Sequence, residues 1–242
     1  MTGQSLWEPD TIITTISDIA PQLASWDKST HPSQIRLQAY LQGVMSKALP
    51  LPQDGMPLFL HLEVDVQKPE RLLKHHDLEN YLTPLFGTKQ LNASRFVLVT
   101  ARKFVGGGSK LLLGTARPAT EDFLLQGWNH FAYVARGSAQ AKPWKDNLRN
   151  ALAETKPLPL TDHAVEVQIA WACPAQSNWV ALWKPTGDCM GPILGEVNPL
   201  RPFAPNDDRI VDLKFYRTLN TAMGNAVHID MWWRAARSQA VL

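Results

Sequence analysis

Residues 58–66, LFLHLEVDV, alternate strictly, with Leu58, Leu60, Leu62, Val64 and Val66 on one side and His61, Glu63 and Asp65 on the other. A period of two sustained over this length specifies a β-strand with one face in a core. The stretch AVEVQIAWA at 164–172 alternates in the same way, with Val165, Val167, Ile169 and Trp171 sharing a face. Each strand has the same approach. QIRLQAYLQGVMSKA (34–48) places Ile35, Leu37, Leu41, Val44, Met45 and Ala48 at mostly helical spacing, and PWKDNLRNALAE (143–154) reads as a helix with Pro143 in its first turn. Each helix then leaves through a Leu-Pro-Leu link, LPLPQDGMP at 49–57 and KPLPLTD at 156–162.

The parallel continues downstream. Asn80-Tyr-Leu-Thr-Pro84-Leu-Phe-Gly87 matches Asp188-Cys-Met-Gly-Pro192-Ile-Leu-Gly195 in spacing and apolar character. Asn92-Ala93-Ser94-Arg95-Phe96-Val97 matches Asn206-Asp207-Asp208-Arg209-Ile210-Val211, and each runs into a strand, 97–103 or 211–217. A glycine-containing turn follows in both halves, GGGSK at 106–110 and MGN at 223–225, and then a last strand, KLLLG or AVHIDMWW. A recurrent order of this kind is the mark of internal duplication. The expected fold is therefore α+β, with two similar units of mixed β-sheet and flanking helices arranged as an internal pseudo-dimer. The first unit is 1–114 with an N-terminal extension, and the second is 115–242. The segment 114–142, rich in small and turn residues with an apolar patch from Phe123 to Trp128, is the break between them.

Composition narrows the function classes. The chain has 242 residues, 45% of them hydrophobic, enough for a large core without disulfide or metal staples. Two cysteines, Cys173 and Cys189, exclude a disulfide framework and a four-cysteine zinc site. No apolar run reaches the roughly 20 residues of a membrane helix, so no membrane partner and a cytoplasmic location are expected. A net charge of +2 is a weak electrostatic drive toward nucleic acid.

The acidic clusters are the most informative polar features. Asp77 and Glu79 stand at the start of a helix, where they could chelate a hard divalent cation such as Mg²⁺ or Mn²⁺. Asp207-Asp208 sit in a turn before a strand, and paired acids of this sort are the usual apparatus of phosphodiester hydrolysis. Each cluster also has a structural reading, an N-cap for Asp77 and a turn for Asn206-Asp207-Asp208. His75 and His76 are adjacent rather than four apart, so they form no metal motif, and GGGSK lacks the spacing of a phosphate loop and reads as a hairpin turn. Trp171, Trp183, Trp232 and Trp233 suit core packing or base stacking.

The order of elements resembles the RusA-type Holliday-junction resolvases. Asp77-Leu78-Glu79-Asn80 is similar to that family's Asp-x-Asp-Asn helix start, with Glu for the second Asp, and Asn206 to Asp212 is similar to its acidic turn and following strand. Trp128-Asn129-His130 through Trp144-Lys145-Asp146-Asn147-Leu148 resembles the lead-in to the family's first helix. The resemblance covers roughly residues 34–113 and 128–234. It implies a Mg²⁺- or Mn²⁺-dependent endonuclease acting on branched or duplex DNA, in which homodimeric small subunits are replaced by one fused chain. It implies Asp77, Glu79, Asp207 and Asp208 as catalytic residues, the same four with Asp188 as metal ligands, and Lys74, Asn80, Lys184 and Arg209 as nucleic-acid contacts.

The departures from the family pattern are complementary. The first half has Asn92-Ala93-Ser94 in place of the acidic turn, and the second has Pro185-Thr186-Gly187-Asp188 in place of Asp-x-Asp-Asn, with Asp188 at the Asn position. The family's lysine three residues after the Asn is replaced by Thr83 and Gly191. Three outcomes remain open: one composite site from Asp77 and Glu79 with Asp207 and Asp208, a reduced site from Asp188, Asp207 and Asp208, or a pseudonuclease. From another functional class, a non-catalytic adaptor presenting exposed tryptophans to a protein partner is the alternative.

Overall fold

A computed structural model of the chain describes residues 6–236 except 53–54, 88–90, 121–124, 158, 161–162 and 199. In chain order the elements are β1 (Trp7–Ile19), α1 (Pro32–Ala48), β2 (Leu58–Asp65), α2 (Leu78–Gly87), β3 (Phe96–Phe104), β4 (Ser109–Pro118), β5 (Asn129–Arg136), α3 (Lys142–Glu154), β6 (Val165–Cys173), α4 (Trp183–Asp188), α5 (Gly191–Leu194), β7 (Ile210–Leu219) and β8 (Ala226–Ala235), with short 3₁₀ turns between some of them. The fold is α+β, and its strands form one mixed sheet of eight strands in the order β1-β4-β2-β3-β7-β6-β8-β5. Read inward from either edge, the order is the first, fourth, second and third strand of that half. Pairing is parallel for β2 with β3 and for β6 with β7, and β3 meets β7 antiparallel at the middle. Both parallel pairs carry a register shift at their first residue, Leu58/Phe59 in one and Val165/Glu166 in the other.

The alternation in the two decisive strands sets where the core lies. Leu58, Leu60, Leu62 and Val64 of β2 join Val165, Val167, Ile169 and Trp171 of β6 in one apolar cluster with the buried faces of the helices. Leu37, Leu41 and Val44 come from α1, Leu78, Leu82 and Leu85 from α2, Leu148 and Leu152 from α3, and Trp183 from α4. The other sheet face carries a smaller cluster of Phe59, Leu98, Ala116, Ala170 and Tyr216, against which Leu6 and Trp7 pack. The Trp7 indole N–H donates to the Arg217 carbonyl at 3.1 Å, so the start of β1 reaches across that face.

β2 was expected to be half-buried and is nearly buried on both faces. The polar side is covered by its own charges: Glu63, 5% exposed, pairs with Arg102 at 2.6 Å and Lys110 at 3.0 Å, and shares a 3.3 Å contact with His61. The GGGSK turn is a hairpin tip, as its spacing implied. Gly106, Gly107 and Gly108 all have positive φ, and the N–H groups of Gly106 and Gly108 donate to the Asp65 carboxylate. The outermost strands were not expected. β1 and β5 occupy the two sheet edges, and β5 runs through the segment read as a break between units. Phe123 and Leu124, part of the apolar patch assigned to that segment, lie outside the described residues, as do parts of both Leu-Pro-Leu links.

β1 follows β4 through several register shifts, between Pro9 and Thr11 and again between Ile12 and Thr14. This brings its backbone onto Gly114, where a Cβ would stand 1.9 Å from the Thr11 carbonyl oxygen and 2.7 Å from the Phe59 ring. Gly114→Ala is therefore expected to lower stability by about 1–3 kcal/mol or more, since backbone rather than a flexible side chain must yield. Gly43→Ala, on the exposed side of α1 with nothing within 4 Å of the new Cβ, should raise stability by about 0.5–1 kcal/mol. Denaturant midpoints of the two variants check the contrast; equal shifts would contradict the close approach of β1.

Candidate functional site

Because β3 and β7 run antiparallel, the C-terminal end of β3 lies beside the N-terminal end of β7, and the turn that leads into β7 meets the start of α2. Asp77 precedes the first residue of α2 and accepts the Glu79 N–H at 2.9 Å and the Asn80 side-chain amide at 2.7 Å. It therefore caps the helix, as its structural reading supposed, and still turns its carboxylate toward the other acids. Glu79 is buried and accepts the Thr83 hydroxyl at 2.5 Å. Asp207 and Asp208 stand in the 3₁₀ turn Asp207–Arg209 that opens β7.

The acids of the two halves are brought together around one ammonium group. Lys184, on α4, places Nζ 3.9 Å from Asp77 Oδ2, 4.0 Å from Glu79 Oε2, 3.2 Å from Asp188 Oδ1 and 3.6 Å from Asp207 Oδ2. Lys145 adds a second cation at 3.7 Å from Asp188 Oδ2. A third, Lys103, comes up from the end of β3. It is 2% exposed, and its Nζ donates to the carbonyls of His76 at 2.7 Å and of Asp208. Lys103 thereby ties the loop before α2 to the turn before β7, fixing one acidic pair against the other.

Negative charge at this point exceeds what the ammonium groups balance. Burial, reinforced by neighbouring Glu79 and opposed by Lys184, pushes the Asp77 carboxyl up to about 6. Burial and the Asp77 charge push Asp207 up to about 7, and burial raises Glu79 as well. Burial lowers Lys103 to about 8 against the pull of Asp208, Asp77 and Asp207. For Lys184 the surrounding carboxylates outweigh burial, and its pKa is raised.

The turn of the first half that corresponds to Asp207-Asp208, Ala93-Ser94, has a different environment. The Trp179 indole N–H donates to the Ala93 carbonyl at 2.8 Å. Arg217, at the end of β7 as Lys103 is at the end of β3, donates to the carbonyls of Ser94 at 2.5 Å and Ala175 at 3.1 Å. The backbone clamp is thus present on both sides, whereas the carboxylates gather on one.

The other expected contacts divide. Lys74 is exposed, Asn80 is committed to Asp77, and Lys184 is half-exposed at the centre of the acids. Arg209 is 5% exposed, with Nη1 donating to Leu194 O at 2.9 Å and Nε to His163 O at 3.2 Å, so its guanidinium serves the fold of the turn rather than the surface. His76 is half-buried and shares a 2.6 Å hydrogen bond with the Tyr81 hydroxyl, while His75 is exposed. Both cysteines are buried, and burial pushes the Cys189 thiol up to about 12, unlike a nucleophile. Trp171, Trp183 and Trp233 are core residues, and Trp232 is half-buried against a stacked His130. Sequence reasoning missed Lys103, whose position in an alternating strand carries no mark of its partners, and the central place of Lys184.

Among the described residues, no group of three or more His, Cys, Asp or Glu side chains stands in an arrangement able to hold a metal ion. The Lys184 ammonium stands where the carboxylates converge. The donor set itself, all carboxylate oxygen and in excess over the local cations, has the chemistry that hard divalent ions select. Among the described residues no helix is long and apolar enough to cross a membrane. No protein-family model matches the chain, and no curated protein matches it in sequence.

The raised carboxyls give a pH dependence of known sign. Asp77 and Asp207 bind protons more tightly folded than unfolded, so their contribution to stability is fully present below the ordinary carboxylate range. It is lost as pH rises through about 6 to 7. Asp207→Asn removes one of the repelling charges. It should be more stable than wild type at pH 8 by on the order of 1–2 kcal/mol after allowance for screening, the difference vanishing near pH 4. Urea midpoints of both proteins across this range test it; a difference independent of pH would mean that the acids do not repel.

Proposed function

We propose that the chain is an internally duplicated, RusA-like nucleic-acid-processing protein with one composite site, a Mg²⁺- or Mn²⁺-dependent endonuclease acting on branched DNA. One observation carries the reading: acids from both halves, Asp77 and Glu79 with Asp207 and Asp188, converge within 4 Å of a single nitrogen. The duplication is supported by register. Asn92–Val97 and Asn206–Val211 correspond at an offset of 114 residues, which makes Thr100 the counterpart of Lys214, and these two residues face each other in the β3–β7 pairing. A two-fold axis relating the halves would pass through that pair, and the matching strand orders and the clamps at Lys103 and Arg217 support the same reading.

In this reading Asp77, Glu79, Asp188, Asp207 and Asp208 would hold the divalent ion, which supplies activation of water and neutralisation of phosphate charge when bound. The chain's own contributions are distinct. Lys184, half-exposed on a flexible stem, withdraws from the centre and is placed to pair with a phosphate oxygen. Lys103 keeps the two acidic pairs in register. With Ala93 and Ser94 on the other side of the axis, only one phosphodiester is attacked per encounter, so the expected product is a nick rather than a paired incision.

The position of Lys184 favours a second reading, that of a catalytically impaired relative in which the ammonium is a permanent counter-ion and the protein binds DNA or a protein partner as an adaptor. Cleavage of labelled four-way junction, flap and duplex DNA with Mg²⁺ or Mn²⁺ separates the two. Wild type should nick one strand of a branched substrate, and Asp207→Asn with Asp208→Asn should reduce the rate at least 100-fold. Paired incision would sink the single-site assignment, and activity unchanged in the double variant would sink the site. Salt-sensitive binding without cleavage would establish the impaired relative, and absence of both would leave the adaptor.

A further inference from the structure

Between β1 and α1 the chain runs past the first turn of α2 without regular structure, and it is anchored at both sides of Trp26. Ala24 N–H donates to Asn80 O at 2.8 Å, and the Asp27 carboxylate accepts the hydroxyls of Ser25 at 3.0 Å and Ser33 at 2.6 Å. Held in this way, the Trp26 side chain is nonetheless 89% exposed. It stands at a groove of about 540 Å³ formed with Leu37, Gln38, Leu41, Thr83 and Pro84. Gln34 also lines it, its Nε2 donating to Ser25 O while its buried Oε1 has no hydrogen-bond partner among the described residues.

Two properties of the groove define its occupant. None of its lining side chains is charged, and they combine an aromatic face, an aliphatic floor and carboxamides. That suits a flat, neutral, hydrogen-bonding ring and excludes a phosphate as the buried group. The groove is also continuous with the acidic cluster. Thr83 forms part of its wall and donates to Glu79, and Asn80, which receives the Ala24 N–H, donates to Asp77.

We propose that this groove receives one unpaired nucleobase of a DNA strand, stacked on Trp26, so that the adjoining backbone is led to the carboxylates. The inference rests on the reading of the protein as one that binds branched DNA and adds to it the means of selecting an unstacked position. Stacking on an aromatic face is tolerant of base identity, so selection is for an unpaired nucleotide rather than for sequence.

The test is equilibrium binding, by fluorescence anisotropy, of a fluorescein-labelled flap DNA with a single-stranded arm in EDTA, where cleavage does not intervene. Trp26→Ala should weaken binding about ten-fold and Trp26→Phe much less. A single abasic position walked along the arm should reproduce the loss at one place, with no further loss there in Trp26→Ala. Because Trp26 lies outside the core, its variants should keep the wild-type melting temperature. Unchanged binding by Trp26→Ala overturns the proposal, and so do abasic and Trp26 losses that multiply at every position. Failure of wild type to bind the probe overturns it together with the nucleic-acid reading. The stated pattern in EDTA, accompanied by no cleavage in Mg²⁺, supports the groove and overturns only the nuclease.

Discussion

The antiparallel pairing of β3 with β7 is the constraint on which the rest of the structure depends. It joins eight strands into one sheet, and it places the end of one central strand beside the start of the other. Without it, Asp77 and Glu79, beside the C-terminal end of β3, would have no acidic turn next to them, since the Ala93-Ser94 turn of their own half precedes the other end of that strand. With it, they face Asp207 and Asp208. A slip of one residue would turn the inward-facing positions of the shifted strand outward, so the apolar alternation that builds the core also fixes the separation of the acids. Packing and site geometry are therefore set by the same pattern.

That convergence is electrostatically costly, and the surrounding lysines show how the cost is contained. Lys184 meets four carboxylates at the solvent side, and Lys103 stands behind them with its ammonium on two carbonyls. The two act differently. Lys184 is half-exposed and held by charge alone, whereas Lys103 is buried and directed, and its hydrogen bonds set backbone positions. The carboxyls remain raised despite both, which means that a further positive charge at this point would be stabilising. A divalent cation is one such charge, and a basic segment of a protein partner is another.

Much of the architecture was legible because its signals are periodic. The alternation of 58–66 and 164–172, the helical spacing of 34–48, and the recurrence of Asn-x-x-Arg before a strand each report a buried face that repeats along the chain. β1 and β5 gave no such signal because an edge strand buries little: β1 is exposed along most of its length and its register shifts break the period. The acids were legible as residue types, and their union across the two halves was one of three outcomes that the complementary departures in the motifs left open. What sequence could not reveal was the occupant of the centre. Lys184 is unremarkable among its neighbours in the chain, and only the approach of α4 to α2 gives it four partners. Arg209 shows the reverse case, a basic residue beside the acids whose guanidinium is directed to the carbonyls of His163 and Leu194.

Six of the tryptophans lie after residue 140, and three of them, Trp171, Trp179 and Trp183, pack together. On the side without acids, Trp179 packs edge-on against Trp171 and Trp183 at 6.1 and 5.1 Å between ring centres, and Trp183 meets Phe215 at 4.8 Å. Trp179 reaches the Ala93-Ser94 turn, where the one polar atom it brings is satisfied by the Ala93 carbonyl. The acids around Lys184 are thus balanced by one half-exposed and one buried ammonium group, whereas the neutral Ala93-Ser94 turn is met by an indole and needs no counter-charge.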